Sequence, residues 1–402
     1  MRLAAAAATL ILAALPARAA SALEPPDLSR YLDWGFVHAR PGFAVPGIGY
    51  DSNIFAPSGQ PPVGDFAVRL SPRIEGVVLF GRRAFLTFTE RFDYTAYQDY
   101  HDANYYENRG AARLTIPVRR FGVYAEYGLN RLKDLPLSEI DSRPIRREVR
   151  TGAGVILELG WRTSVEFGLV RSDWTITDSD TPATAPSQDR IEEGRQLRVR
   201  YRMTGITDLT FDTLNRTVNF VDSRQAFRDA DERALLPGVE IGSGGVLSGA
   251  LRVGPARLDA WDPEQPDFSG LIGNARLAWR ISSASTLRFE GLREVGFAIY
   301  QSNSYFVRNN GEARLVHYFN RVFGVDGALG RGLLTFPESP QAGARTDHLR
   351  RLDLGLRIRL MENQLGRRVE YNVGLSRQSR DSTIDTLDQT RNVVAVGASV
   401  GF

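Results

Sequence analysis

Apolar and polar residues alternate along most of this chain with a period of two. In 197–203 the odd positions are apolar and every even position is arginine, and in 352–360 the apolar residues occupy the even positions. The last segment, 394–402, also has apolar residues at its even positions, with alanine, glycine and serine between them. Because successive side chains of a strand point to opposite faces, these segments predict strands with one apolar and one polar face. In 86–94 the same alternation is interrupted by Glu90.

A soluble sandwich and a membrane barrel would both produce this alternation, and the connections favour the barrel. Short and long connections alternate, and the long ones are rich in Asp, Pro, Ser and Gly, as loops are. The short ones are 81–83, 118–120, 160–162, 204–207, 282–285 and 320–321. The long ones are 57–65, 133–144, 178–189, 222–232, 259–267, 337–347 and 381–390. Outer-membrane barrels have short periplasmic turns and longer outer loops.

We therefore predict an all-β fold, a closed antiparallel transmembrane β-barrel of about 18 strands that resembles an outer-membrane porin. The predicted strands are 43–53, 67–80, 84–97, 106–117, 121–132, 147–159, 163–176, 195–204, 207–220, 233–243, 246–257, 269–281, 286–298, 305–319, 322–335, 349–360, 368–379 and 391–402. The even number places both termini in the periplasm. The weakest predictions are the first strand, which contains Pro46, and 233–243, which contains Pro237.

The start of the chain is typical of a secretory signal peptide. Arg2 precedes an apolar run from Leu3 to Leu15, and Ala17-Arg18-Ala19 offers a cleavage site, although an uncleaved anchor helix is the alternative. We expect a signal peptide at 1–19, a short periplasmic segment at 20–42 and the barrel at 43–402. Phe402 shares the parity of the apolar face of its strand, so we expect it to act as an assembly signal for the outer-membrane assembly machinery.

The strand number carries a functional prediction, because barrels of 16 to 18 strands leave an aqueous channel. The side chains expected to line it include two arginine ladders and mixed charges on a third strand. These candidates are Arg198, Arg200, Arg202, Arg288, Glu290, Arg351, Asp353, Arg357 and Arg359. Arginine binds carboxylates through two parallel hydrogen bonds, so the ladders could guide an anionic or polyhydroxylated solute. Alternatively, facing arginine and acidic residues simply pair with each other.

Other classes of function find little support in the sequence. The chain has no cysteine, and its four histidines lack the spacing of metal ligands, so we expect no metal site. It contains neither a nucleophile elbow nor a phosphate-binding loop, and we expect neither an enzyme nor a bound cofactor. The formal net charge is only +3, which argues against nucleic-acid binding.

One short motif resembles a known family. Gly49-Tyr50-Asp51-Ser52-Asn53-Ile54-Phe55 ends the first predicted strand; Arg40-Pro41-Gly42-Phe43 leads into that strand, and Ser71-Pro72-Arg73-Ile74 lies in the next one. This stretch resembles the signature near the start of type 2 outer-membrane β-barrel porins. The resemblance implies an 18-stranded barrel associated with exopolysaccharide synthesis and export, and it transfers no ligand-binding residue. Asp51 and Asn53 also suit a strand-to-loop exit by themselves.

Three functions remain open. The first is a hydrated channel that exports polysaccharide, either exopolysaccharide or capsule, across the outer membrane. The second is a general or small-solute diffusion porin, and the third is a structural or adhesive barrel without a transport role. The expected partners are outer-membrane lipid and lipopolysaccharide, the assembly machinery, a polysaccharide or other polar solute, and periplasmic polysaccharide-export components.

Overall fold

The structure, a computed structural model, describes residues 23–55, 61–133, 144–177, 187–298, 304–340, 342–360 and 368–401. The expected signal peptide at 1–19 and the terminal Phe402 lie outside these residues. Within them, no helix is long and apolar enough to cross a membrane.

Long antiparallel strands make up nearly all of the described chain. They are β1 (Leu32–Trp34), β2 (Val37–Asp51), β3 (Asp65–Phe80), β4 (Ala84–Tyr97), β5 (Tyr105–Val118), β6 (Phe121–Lys133), β7 (Ile145–Leu159), β8 (Thr163–Thr177), β9 (Arg190–Arg202), β10 (Thr207–Phe220), β11 (Ala230–Ile241), β12 (Leu247–Ala260), β13 (Phe268–Arg280), β14 (Ser285–Phe297), β15 (Tyr305–Tyr318), β16 (Phe323–Phe336), β17 (Arg345–Leu360), β18 (Arg368–Ser382) and β19 (Gln389–Gly401). Short 3₁₀ turns occur at Leu28–Arg30, His101–Ala103, Ser223–Arg228 and Asp385–Leu387.

The strands close into a ring. Each strand from β2 to β18 pairs antiparallel with the next one in the chain, and β19 pairs with β2. The short β1 adds a three-residue pairing at the start of β2, where Leu32 faces Ala39. The prediction of a closed antiparallel barrel of 18 strands is therefore confirmed, and β1 is an addition that the sequence pattern did not reveal.

The two ends of the barrel differ. At the end where β2 begins, the connections within the wall are short, as in the turns 81–83 and 119–120. At the other end lie longer connections such as 98–104 and 221–229. We call these the turn end and the loop end. By the rule for bacterial barrels the turn end faces the periplasm.

The outer surface carries the apolar side chains. Leu352, Leu354 and Leu356 of β17 are 41%, 52% and 58% exposed, whereas Arg351 and Asp353, which point inward between them, are 6% and 7% exposed. An outward apolar and inward polar face is the arrangement expected of a strand between lipid and an enclosed space.

Both proline-containing segments are strands, and the pairing explains how they tolerate proline. Pro46 lies in a bulge, because the register of β2 against β3 shifts between Ala44 and Gly47. Direct pairing of β11 with β12 is interrupted between Ala234 and Gly238, on either side of Pro237. Proline has no N–H to donate, so it is accommodated where the ladder is irregular.

The first strand of the wall begins earlier than expected. β2 starts at Val37 instead of residue 43. Leu23, before it, is buried against Tyr124 and Ile156 of β6 and β7. The beginning of the segment expected to be periplasmic therefore packs, through Leu23, against the inner wall at the turn end.

Candidate functional site

The arginine ladder of β9 lies on the inner wall and is matched by carboxylates of neighbouring strands. Arg198 donates from Nε and Nη2 to the two oxygens of Asp212 on β10, at 2.6 and 3.1 Å. Arg200 lies 3.4 Å from Glu240 on β11 and 3.8 Å from Asp208. Arg202, the third residue of this ladder, is half-buried next to the turn end. This part of the wall is therefore charged but largely neutralised.

The ladder of β17 is paired in the same way. Arg351 donates from Nε to both oxygens of Asp353 at 2.9 Å, and both side chains are buried. Arg357 donates to Asp326 of β16 and to Glu370 of β18, each at 2.8 Å.

Two further arginines complete this network. Arg359 donates to Glu370 at 3.3 Å and stacks on the ring of Tyr318. Arg314 of β15 reaches both Asp326 and Asp353 at 2.8 Å. The network continues across four neighbouring strands, which fixes the orientation of the arginine side chains.

Two of the predicted pore-lining residues behave differently. Arg288 and Glu290, on β14, are exposed, and among the described residues neither forms an ion pair within 4.0 Å. Arg276 of β13 faces Glu290 in the register and is likewise exposed, with no ion pair to the described part of the chain. We call Arg276, Arg288 and Glu290 the free-charge patch. It lies in the half of the barrel nearer the turn end and carries a net positive charge.

The loop-end part of the β14–β15 hairpin leaves the wall and enters the barrel. Pairing between β13 and β14 stops at Gly273 and Arg293, although both strands continue toward the loop end. Phe297 packs against Phe220 of β10, with ring centroids 6.2 Å apart. Strands about 4.8 Å apart in a ring of this size place β10 and β14 roughly 20 Å from each other. The contact therefore requires the hairpin to fold inward.

An apolar cluster forms where the hairpin meets the inner wall. Val295, Phe297 and Tyr305 of the hairpin are buried in it. Tyr305 packs on Phe268 with ring centroids 6.2 Å apart and donates its hydroxyl to the carbonyl of Asp267 at 3.0 Å. The wall contributes Val218, Phe220, Ala230, Ala234, Leu236, Ala256, Leu258, Phe268 and Ile272. We call this cluster the constriction, because it occupies space inside the barrel near the loop end.

The connection between β10 and β11 holds the hairpin in place. Arg228, at the end of the 3₁₀ turn Ser223–Arg228, donates to the carbonyl oxygen of Ala298 and is fully buried. The guanidinium carbons of Arg190 and Arg216 lie 5.6 and 5.8 Å from the ring centroid of Phe297. These contacts join the loop-end part of β14 to β9, to β10 and to the β10–β11 connection, about a quarter of the way around the ring.

The same connection is fixed at both ends by aspartates. Asp222 accepts hydrogen bonds from the backbone N–H and the guanidinium of Arg224, which hold the pKa of that carboxyl well below its usual range. Asp229 accepts from the backbone N–H of Phe220 at 2.7 Å, and burial nevertheless raises its pKa. These hydrogen bonds order both ends of the loop that carries Arg228.

The sequence predicted a charged inner wall and did not predict the constriction. The sequence does contain a signal for the constriction, because the inward residues of one strand change from polar to apolar along its length. On β10 the inward positions are Asp208, Thr210 and Asp212 near the turn end, but Val218 and Phe220 near the loop end. An inner face that turns apolar needs a partner inside the barrel.

The charged wall and the apolar constriction together form a polar channel that is narrowed near the loop end. Among the described residues, no group of three or more His, Cys, Asp or Glu side chains is arranged to hold a metal ion.

Comparisons with known proteins agree with this architecture. A family model described as "Putative beta-barrel porin 2" matches residues 39–402. No curated protein gives a match. Among solved structures, a BenF-like porin from Pseudomonas fluorescens Pf-5 is 10% identical with a TM-score of 0.49, covering 92% of this chain and 100% of that one.

Two Pseudomonas aeruginosa structures are similarly distant. OpdK with vanillate is 11% identical with a TM-score of 0.46, covering 90% of this chain and 99% of that one. OccK2 (OpdF) in complex with glucuronate is 12% identical with a TM-score of 0.47, covering 90% and 96%. At this level of similarity, nothing about solutes transfers from these proteins.

Proposed function

Since this chain belongs to the family described as "Putative beta-barrel porin 2" and is an outer-membrane β-barrel porin, we propose that it conducts small anionic solutes through its lumen. The observation that carries the proposal is the free-charge patch. Most other arginines described above already bind a carboxylate, whereas Arg276 and Arg288 are exposed and paired with none of the described residues. They can offer a guanidinium to a passing carboxylate without breaking an existing ion pair.

The constriction supports a small solute. The inward hairpin narrows the loop-end half of the barrel, so a solute that reaches the patch has passed an aperture bordered by Phe297 and Arg228. A narrow aperture followed by net positive charge selects by size and then by sign, because a cleft lined with one sign of charge concentrates the opposite ion.

Ion selectivity in planar bilayers tests this function. We expect the full-length barrel to form channels whose reversal potential in a salt gradient indicates a preference for anions. Replacing both arginines of the patch, Arg276→Gln with Arg288→Gln, should shift that potential toward cation preference, because the patch is left with the charge of Glu290. Lower salt should enlarge the difference, since screening weakens.

The matched control removes two exposed arginines that lie outside the lumen. Arg82→Gln with Arg83→Gln changes the β3–β4 turn, almost opposite β13 and β14 in the ring, and should leave selectivity unchanged. An equal shift in both variants, or none in either, contradicts the role of the patch. A barrel that forms no channel at all supports the structural or adhesive alternative instead.

Polysaccharide export is the second candidate, and the family resemblance of Gly49–Phe55 is what favours it. A polymer would have to thread past the constriction, so export requires the β14–β15 hairpin to move aside. A deletion strain with unchanged surface polysaccharide would rule this candidate out, whatever the selectivity measurements show.

A further inference from the structure

The outward faces of the strands carry arginines near the loop end. On β9, β11 and β12 these are Arg195, Arg233 and Arg257, and all three are exposed. They lie in one transverse row, since Asn215 of β10 faces both Arg195 and Arg233 in the register, and Arg233 faces Arg257. We call these three residues the outer arginine row.

The row is part of a longer arc. Other strands between β6 and β18 place an arginine on the same face at a comparable position. These are Arg131, Arg147, Arg171, Arg293, Arg331, Arg350 and Arg377. Arginine recurs at this position on the outward face of many strands, and not on one strand or one loop alone. A common cause must therefore act on all of these strands.

The arginines lie at the border of the apolar band. Along β11, the outward positions from Arg233 toward the turn end are Leu235, Pro237, Val239 and Ile241. The eight residue steps from Arg233 to Ile241, at about 3.4 Å each and a tilt of about 40°, span roughly 21 Å of membrane, close to the ~25 Å band of such barrels. The outer arginine row therefore lies where acyl chains end and headgroups begin, in the outer leaflet.

Direct like-charge contacts show that the arc is not neutralised within the chain. Arg233 faces Arg257, and Arg331 faces Arg350. Like charges directly opposite each other destabilise a sheet. Arg171, Arg257 and Arg350 form ion pairs with acidic neighbours. Among the described residues, Arg195, Arg233 and Arg331 form no ion pair.

Acidic side chains on the same face are fewer and lie elsewhere. In the part of the wall that the structure describes they are Glu90, in the middle of β4, and Asp173, Glu193, Asp231, Asp259 and Asp381. Next to the outer arginine row they occupy the positions one step nearer the loop end, where Thr217 faces Glu193 and Asp231. The layer adjoining the lipid is therefore cationic, and the layer outside it is anionic.

We propose that the outer arginine row binds the phosphate groups of lipid A in the outer leaflet. Phosphate is the anion found at this depth, and a planar guanidinium matches its oxygens with two parallel hydrogen bonds. A phosphate between Arg233 and Arg257 removes the repulsion of that pair. The spacing of neighbouring strands, about 4.8 Å, lets one phosphate contact both guanidinium groups.

Native mass spectrometry of the folded full-length barrel in detergent tests the site. Hexa-acylated lipid A with two phosphates should remain bound to the wild type. The triple variant Arg195→Gln, Arg233→Gln, Arg257→Gln should bind it about tenfold more weakly, as expected for three partly exposed charged contacts. Lipid A with both phosphates removed but the same acyl chains should bind the wild type as weakly as the triple variant binds intact lipid A.

A matched variant and a competition arm make the result decisive. The control Arg82→Gln, Arg83→Gln, Arg120→Gln removes three exposed arginines from the turn end and should retain full affinity. Heat-modifiable migration in gels checks that every variant is folded. Inorganic phosphate should displace lipid A only weakly, since it lacks the acyl chains that hold the headgroup at the row. Equal binding by the triple variant, equal binding of the dephosphorylated lipid, or full displacement by inorganic phosphate overturns the proposal.

Discussion

At the scale of single residues, Asp51 links the first strand of the barrel wall to the last one. Asp51 ends β2 and forms a buried, bidentate ion pair with Arg391 of β19, in which Nε donates to both carboxylate oxygens at 2.9 and 3.0 Å. Asn53 donates its backbone N–H to Asp51 and its side chain to the carbonyl of Thr390. The strand exit expected from the residue types is present, and the ion pair also links β2, the first strand of the wall, to β19, the last.

Removing one partner of this pair should destabilise the barrel. We expect Asp51→Ala to lower the free energy of unfolding by about 3 kcal/mol, because it leaves a buried guanidinium without its anion. The measurement is urea unfolding of the detergent-solubilised or lipid-reconstituted barrel.

The double variant Asp51→Ala, Arg391→Ala supplies the control for that measurement. It should cost less than the two single changes added together, because the unpaired charge is gone. Additive losses would mean that the two side chains stabilise the barrel independently of each other.

At the scale of elements, the β14–β15 hairpin combines two surroundings on one strand. Phe289 points outward in its first half and is 45% exposed, whereas Phe297 near its tip is 6% exposed inside the lumen. The hairpin is therefore wall at the turn end and an internal element at the loop end.

Removing the aromatic side chain of Phe297 should widen the channel at the constriction. We expect Phe297→Ala to raise single-channel conductance and to cost about 3 kcal/mol of stability, the lower range for removing a buried phenylalanine. Phe289→Ala on the same strand is the matched control, and it should leave conductance unchanged. Equal conductance of the wild type and the Phe297 variant would show that the constriction does not limit the ion path.

The elements were far more predictable than the space they enclose. Period-two alternation of apolar and polar residues, together with the alternation of short and long connections, predicted all 18 strands of the wall. Both patterns are local consequences of a sheet that lies between lipid and lumen. The inward fold of Val295 and Phe297 could not be read in this way. It depends on which distant inner faces are apolar, and those faces meet only after the ring has closed.

For the charged residues, the sequence pattern predicts the face of the sheet on which each one lies. It does not predict the residue with which each one pairs. Parity predicts that Arg198, Arg288 and Arg357 lie on the inner side, where the register sets them opposite Asp212, Arg314 and Gly324. Whether each is paired depends on the residue of the neighbouring strand that lies directly opposite or two positions along, which only the register reveals. Arg357 has two carboxylates, whereas Arg288 faces Arg314, whose own carboxylates lie toward β16 and β17.

At the scale of the whole molecule, the arginines form two groups, one inside the barrel and one on its outer surface. Inside, most guanidinium groups are fixed by carboxylates and leave a small free-charge patch for solutes. Outside, the arc at the lipid border has too few carboxylates and is available to phosphate. The role of Phe402 as an assembly signal stays a prediction, since that residue lies beyond the described chain.

The contact between the first and last strands has a consequence for biogenesis. Asp51 and Arg391 are 340 residues apart, and contacts so distant along a chain form late because they require the largest loss of chain entropy. Until β19 has been secreted, one edge of β2 exposes unpaired N–H and C=O groups, which can pair with other chains. A chain cut short anywhere before β19 should therefore accumulate as aggregate or be degraded, instead of inserting as a smaller barrel.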